Sequence, residues 1–317
     1  MTSPWYRRAR RSAATASLAL TAGLLTATTT GAPAQAATVT CPPVQAPVQI
    51  GDAGVALEGA VVDNAGRLFV TDLFGGRVLR FDKPGAAPVE ALKLPVGGGG
   101  ALALRPDGTL LVGGGANPKV FLGDVLKPGV IYGWNQNTGA LTTVAKGFSA
   151  ADGLAVAHDG TIYATNDFGT LIGRVTPDGT KQADWARLPS ANGAVLNHDD
   201  SYLYVSRTFW NPGVSRIPVA HPDKPESLLD LTFPRTFAAP DGLTIDSQDR
   251  PVVPTDVGGK ILRIEKPGVT CTLATGVGAS SVIVYGHGTT GFLKGHLYRA
   301  GFDGKIYEIP AGFDPGA

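Results

Sequence analysis

One unit recurs six times along this chain, and that recurrence constrains its fold more than any other feature. Each copy opens on a small or polar residue, runs through a short apolar strand, turns, and enters a second apolar strand. The copies begin Glu58-Gly59-Ala60-Val61-Val62, Gly100-Ala101-Leu102-Ala103-Leu104, Asp152-Gly153-Leu154-Ala155-Val156, Asn192-Gly193-Ala194-Val195-Leu196, Asp241-Gly242-Leu243-Thr244-Ile245 and, less regularly, Ser280-Ser281-Val282-Ile283-Val284. Their starts lie 42, 52, 40, 49 and 39 residues apart. A period of this length with several strands per unit defines propeller blades. The expected fold is all-β, a six-bladed β-propeller.

Within a unit the first strand is almost continuously apolar, as a strand buried on both faces requires. It ends in turns such as Asn64-Ala65-Gly66, Pro106-Asp107-Gly108 and His158-Asp159-Gly160, which are hairpin signals. Forty-three glycines and 24 prolines suit many short elements, and no segment of ten residues carries helical periodicity. The last unit ends after its third strand, Lys305 to Ile309, while Val44 to Ile50 is a spare strand ahead of the first unit. That N-terminal strand is expected to close the last blade.

Residues 1–36 read as a cleaved export leader, followed by one propeller domain over 37–317. Arg7, Arg8, Arg10 and Arg11 precede an apolar run too short to span a membrane, and Ala34-Gln35-Ala36 follows as a cleavage signature. The general and twin-arginine export routes both stay open. The leader accounts for four of 27 basic residues and none of 26 acidic ones, which leaves the mature chain at about −3. A mildly acidic chain without a basic run is a poor partner for nucleic acid or a membrane surface. A secreted monomer is expected.

The only cysteines, Cys41 and Cys271, are expected to pair. Closing a loop of about 230 residues is worth at most roughly 5 kcal/mol by the chain-entropy argument. Cys41 sits beside the closing strand and Cys271 in the outer strand of the preceding blade, so the bond would clasp the ring.

In a propeller the starts of the inner strands and the loops between second and third strands open on one face. Glu58, Gly100, Asp152, Asn192, Asp241 and Ser280 therefore converge around the channel mouth, joined by Asp72, Asn166-Asp167, Arg207 to Trp210, Asp256 and Asp303. Convergent carboxylates and amides suit a hard divalent cation, calcium before magnesium. Asp-Gly and Asn-Gly are also ordinary turn dipeptides. Glu58 has no turn role, and its burial without a partner would be costly. Asp107, Asp159, Asp199, Asp200 and Asp249 fall in the opposite-face hairpins and read as turn residues. Of the histidines, His158 and His198 occupy those same hairpins, and His221 lies in a Pro-rich loop. There is no Gly-x-Ser-x-Gly elbow, and Gly97 to Gly100 is a blade connection rather than a phosphate loop.

These residues resemble the regucalcin/gluconolactonase family of calcium-dependent propeller lactonases, with paraoxonases and strictosidine-synthase-like proteins as cousins. Glu58-Gly59-Ala60-Val61 resembles the family's first inner strand, Ala191-Asn192-Gly193 through Tyr204-Val205-Ser206 a later one, and Pro240-Asp241-Gly242-Leu243 through Asp246 the next. The resemblance implies Glu58, Asn192 and Asp241 as metal ligands. Tyr163-Ala164-Thr165-Asn166-Asp167 resembles a paraoxonase strand and implies Asn166 as a fourth. The family's Arg-x-Asn ahead of the third blade's Asp-Gly is replaced by Ser149-Ala150-Ala151, and the sugar-orienting arginine is missing. The activity implied is metal-assisted hydrolysis of a small-molecule lactone or ester, with Asp241, or alternatively Asp152, as the catalytic base. Phe168, Arg207 and Trp210 are expected to contact substrate. The rival reading is a secreted ligand- or protein-binding propeller whose metal only stiffens the channel mouth.

Overall fold

In the computed structural model, which describes residues 39–317, six four-stranded antiparallel sheets follow one another along the chain. The expected leader lies outside the described residues. Blade 1 comprises Leu57–Val62, Leu68–Asp72, Arg77–Phe81 and Val89–Lys93; blade 2 comprises Gly99–Leu104, Leu110–Gly114, Gly129–Trp134 and Leu141–Phe148. Blades 3, 4 and 5 start at Leu154–Val156, Ala191–Leu196 and Thr244–Ile245 and end at Lys181–Arg187, Glu226–Asp230 and Val269–Thr275. Blade 6 takes Ser280–Tyr285, Leu297–Gly301 and Lys305–Glu308 from the C-terminal end and Val48–Asp52 from the N-terminal end. The expected closure strand is present, shifted to begin at Val48, because Pro47 has no N–H for the ladder. It pairs Val48 with Glu308 and Asp52 with Lys305.

Cys41 and Cys271 form the disulfide, with Cα atoms 5.3 Å apart. Because Cys271 lies in the outer strand of blade 5, the bond joins the closing segment to the neighbouring blade. The core is divided among the interfaces between blades. Between blades 1 and 2, for example, Phe69 and Val78 pack on Leu102, Leu110 and Trp134, with Phe69 and Trp134 edge to face at 6.1 Å. The opposite-face acids are turn residues, as expected. Asp107 Oδ1 accepts the Thr109 N–H at 2.8 Å, and Asp159 Oδ1 accepts the Thr161 N–H at 2.7 Å. On the same face His158 pairs with Asp200 and His198 with Asp249 of the next blade, which ties blades 3, 4 and 5 together.

Two devices bring the inner-strand starts close around the channel. The register with the second strand shifts at Leu57/Ala60, Gly99/Leu102, Ala191/Ala194 and Ser280/Val282, a bulge that turns the residue inside it off the regular alternation. The glycine that follows each polar residue then lets the next blade approach. A Cβ on Gly59 would stand 2.6 Å from Gly100 O, one on Gly153 2.2 Å from Asn192 O, and one on Gly193 2.6 Å from Gly242 Cα. These glycines are selected by contact between blades, not by the turns that an Asp-Gly or Asn-Gly dipeptide suggests. Hydroxyls on the second strands stitch the seam. Thr71 Oγ1 accepts the Gly59 N–H and donates to Gly100 O, both at 2.7 Å, and Thr165 repeats the pattern between Gly153 N and Asn192 O.

Candidate functional site

The channel mouth opens into a cavity of about 580 Å³. Glu58, Asp152, Asp167, Asn192, Asp241 and Asp256 all line it, and no Lys or Arg does. Glu58, Asn192 and Asp241 are each under a tenth exposed. A narrower channel of about 180 Å³ shares Glu58, Asp152 and Asn192 with the cavity and reaches Tyr285 and His287. These polar residues therefore occupy the waist between the two spaces.

Each side chain at the waist is oriented by its neighbours. Asn192 Nδ2 donates to Thr208 Oγ1 at 3.0 Å, and Thr208 donates in turn to Pro240 O at 2.7 Å, which leaves Asn192 Oδ1 for the channel. Asp241 Oδ1 accepts the Gly242 N–H at 2.9 Å. Asp152 Oδ2 is sealed from solvent and has no hydrogen-bond partner. Burial, followed by repulsion from Asp241 and Asp152, holds Glu58 well above the usual carboxylate range, and burial followed by repulsion from Asp152 does the same to Asp241. Burial pushes Asp152 up to about 6, against a stabilising interaction with Asp167. Asp167 is pushed up to about 10, first by burial and then by the Asp152 and Asp241 charges. The two titrate as a coupled pair that binds a proton more tightly than an isolated carboxyl does.

Of the expected ligands, Glu58 and Asn192 meet at the waist beside Asp152, and Asp241 lines the cavity next to them, close enough for its charge to act on Glu58. Asn166 lines the cavity, but its amide is engaged. Nδ2 donates to Val120 O at 3.0 Å and Ser149 Oγ at 2.8 Å, while Oδ1 accepts the Phe168 N–H at 3.0 Å. Only a second lone pair of Oδ1 is left for a cation. Among the described residues no three Asp, Glu, His or Cys side chains close on one point as a metal cluster. The candidate shell thus mixes carboxylates with an amide, and its all-oxygen donors and the orphaned Asp152 Oδ2 fit a hard cation.

Phe168 lines the cavity as expected, but Arg207 and Trp210 do not. The Arg207 guanidinium turns outward into its own blade, where Nη2 donates to Asp230 Oδ1 at 2.6 Å and Leu229 O at 2.9 Å. A buried cation needs such partners, and Asp230 supplies one that the channel does not. Trp210 is 67% exposed beyond the cavity edge. Asp72 is withdrawn too, bonded to the Gly75 N–H and the Arg77 guanidinium, and Asp303 is bonded to Arg299. The sequence reading missed the walls, Leu73, Phe74, Phe121, Val257 and Phe302. Their only sequence signal is that large apolar residues stand in loops where turn chemistry does not call for them.

The fold and site define a six-bladed propeller with an oxygen-lined, acid-rich waist beneath an open cavity. In sequence the chain is similar to lactonase drp35 of Staphylococcus aureus, 26% identical over 239 residues that cover 70% of each chain. In structure it is similar to a gluconolactonase from Xanthomonas campestris, with a TM-score of 0.66 and 17% identity over 87% of this chain and 99% of that one. A virginiamycin B lyase from Staphylococcus aureus shares the fold with a TM-score of 0.57 and 16% identity, over 83% of this chain and 97% of that one. No family profile matches the chain.

Proposed function

We propose that this chain is an exported, divalent-cation-dependent hydrolase of a small-molecule lactone or ester. One observation carries the reading: five carboxylates and no basic side chain line a single cavity. Such a cluster is costly unless protons or a cation balance it. The lactonase relative and the gluconolactonase neighbour support both the reaction class and a place among gluconolactonase-like propellers.

Glu58, Asn192 and Asp241 would hold the cation, with Asp152 Oδ2 and Asn166 Oδ1 as further donors. When bound, a calcium-class ion supplies Lewis-acid polarisation of the substrate carbonyl. Asp241 is the base that takes a proton from the attacking water, and Asp152 is the alternative. Asp152 also has Asp167 beside it to hold and return a proton. The apolar walls exclude bulk water and strengthen charge interactions at the waist.

A panel of lactones and aryl esters, assayed with calcium and with chelator on wild type and Asp241→Ala, tests the proposal. Hydrolysis that needs the cation and falls at least a hundredfold in the variant is expected. Undiminished turnover in the chelated protein or in Asp241→Ala would overturn it. The non-catalytic binding reading draws its support from Trp210, Phe233 and Phe237, which are 67–83% exposed on loops of the mouth face. It predicts no turnover with any substrate and a ligand affinity that these three residues control.

A further inference from the structure

Cation binding accounts for the floor of the cavity but not for its walls. Three rings from three successive blades form a continuous aromatic face. Phe121 and Phe168 have centroids 4.4 Å apart, and Phe168 stacks on Phe209 at 5.1 Å. These rings remain 59%, 39% and 50% exposed, and Phe74 and Val257 opposite are more exposed still. The apolar area is thus available to a ligand and is not consumed by the core.

Neutral polar side chains above the floor are already engaged. Thr208 is bonded to Asn192 and Pro240 O, and Asn117 bonds Gly115 O and the Lys119 N–H. Against the face of Phe121, Phe168 and Phe209 a hydroxyl would lose its water without gaining a partner, a penalty that an alkyl substituent does not meet there.

We propose that this cavity selects lactones or esters carrying a linear apolar substituent over hydroxylated sugar lactones, and that Asp124 positions the selecting wall. The proposal rests on the hydrolase reading for its floor. Phe121 belongs to the segment Pro118–Leu122, which leads into the single helical turn Gly123–Leu126. That segment is latched to blade 3. Asp124 Oδ1 accepts the Ser149 hydroxyl at 2.7 Å, and Oδ2 accepts the N–H and hydroxyl of Thr170 at 2.9 and 2.8 Å. Burial opposes its charge, yet these bonds hold its carboxyl below the usual range. The seat is tight, because a Cβ on Gly123 would stand 2.3 Å from Ser149 O and one on Gly169 2.5 Å from Asp124 Oδ1.

The test compares γ-butyrolactone, γ-octalactone, γ-dodecalactone and glucono-δ-lactone on the mature, calcium-loaded protein. It adds calorimetric binding of γ-dodecalactone to the chelated protein, which does not depend on turnover. We expect kcat/KM to rise about two- to fourfold per methylene over the first several carbons, as burial of apolar area requires. The γ-dodecalactone to γ-butyrolactone ratio should fall about tenfold or more in Phe168→Ala and in Phe121→Ala. In Asp124→Ala it should fall mainly through KM, with Asp124→Glu restoring part of it; loss of kcat at unchanged selectivity would show that Asp124 serves stability alone. Glucono-δ-lactone hydrolysed as well as γ-dodecalactone, or binding without chain-length dependence, would overturn the proposal and leave the hydrolase reading standing. Tight γ-dodecalactone binding with no hydrolysis of any ester or lactone would do the reverse.

Discussion

Asp152 concentrates the chemistry of the waist in one residue, with one oxygen sealed and unpartnered and a neighbouring acid, Asp167, whose titration is raised alongside its own. Its elevation to about 6, and that of Asp167 to about 10, have consequences for stability. A carboxyl whose folded pKa exceeds its unfolded value binds more protons when folded, so its contribution is complete below about pH 4 and is lost as pH rises through the folded value. For Asp152 the loss falls between about pH 4 and 6; for Asp167 it continues toward 10. The melting temperature of chelated protein should therefore fall as pH rises from 4 to 7. If the proposed cation site is real, saturating calcium should flatten that slope, because the cation would replace the protons, and the difference should be read by calorimetry at matched ionic strength. Asp152→Asn should flatten the chelated slope without added calcium. A chelated protein whose stability rises over this range would show that these acids are not crowded as described. Cation binding should also release protons at neutral pH, measurable as a buffer-dependent enthalpy.

At the scale of the element, the inner strands owe their convergence to bulges and to glycines that admit the next blade. Gly153→Ala should destabilise the protein by about 1–3 kcal/mol, because its Cβ would meet backbone that cannot swing aside. It should also weaken cation affinity, since Asp152 and Asn192 flank that contact. Gly97→Ala, whose Cβ would meet nothing within 4 Å, is the matched control and should lie within about 0.5 kcal/mol of wild type. Denaturant melts of the two variants decide the point, and equal midpoints would remove the packing explanation. The blades were legible in the sequence because a buried inner strand writes a continuous apolar run, and six such runs at one spacing admit few folds. The floor was legible because polar residues opening those runs stand out against them. What the sequence hid was direction. Arg207 ends the strand Tyr202–Arg207 whereas Phe168 stands in the turn beyond Ile162–Ala164, and Arg207 turns outward because Asp230 and Leu229 O satisfy its charge there. Phe121 sits in a loop with no periodicity, and its place is set by the Asp124 contact with Ser149 and Thr170, which are distant in sequence and close only after folding.

For the whole molecule, the central problem is ring closure, because a propeller's first and last blades meet only when the chain is complete. The closing strand Val48–Asp52 covers the otherwise open edge of Lys305–Glu308, and Ile50 packs, partly buried, against the cluster of blades 6 and 1 that contains Phe81 and Ile306. The Cys41–Cys271 bond anchors that strand from blade 5, across 230 residues. Its entropic contribution is at most roughly 5 kcal/mol, and a domain of this size shifts about 2–4 °C for each kcal/mol. A Cys41→Ser, Cys271→Ser variant should therefore melt about 5–15 °C lower than wild type, with ligand-free and cation-loaded forms both affected. Because the bond lies on the outer rim, the waist residues should keep their cation affinity at 25 °C, so calorimetric binding at that temperature separates loss of closure from loss of the site. If the variant instead loses cation affinity in proportion to its stability, the ring and the waist form one cooperative unit, and the clasp is then part of what holds Glu58 against Asp241.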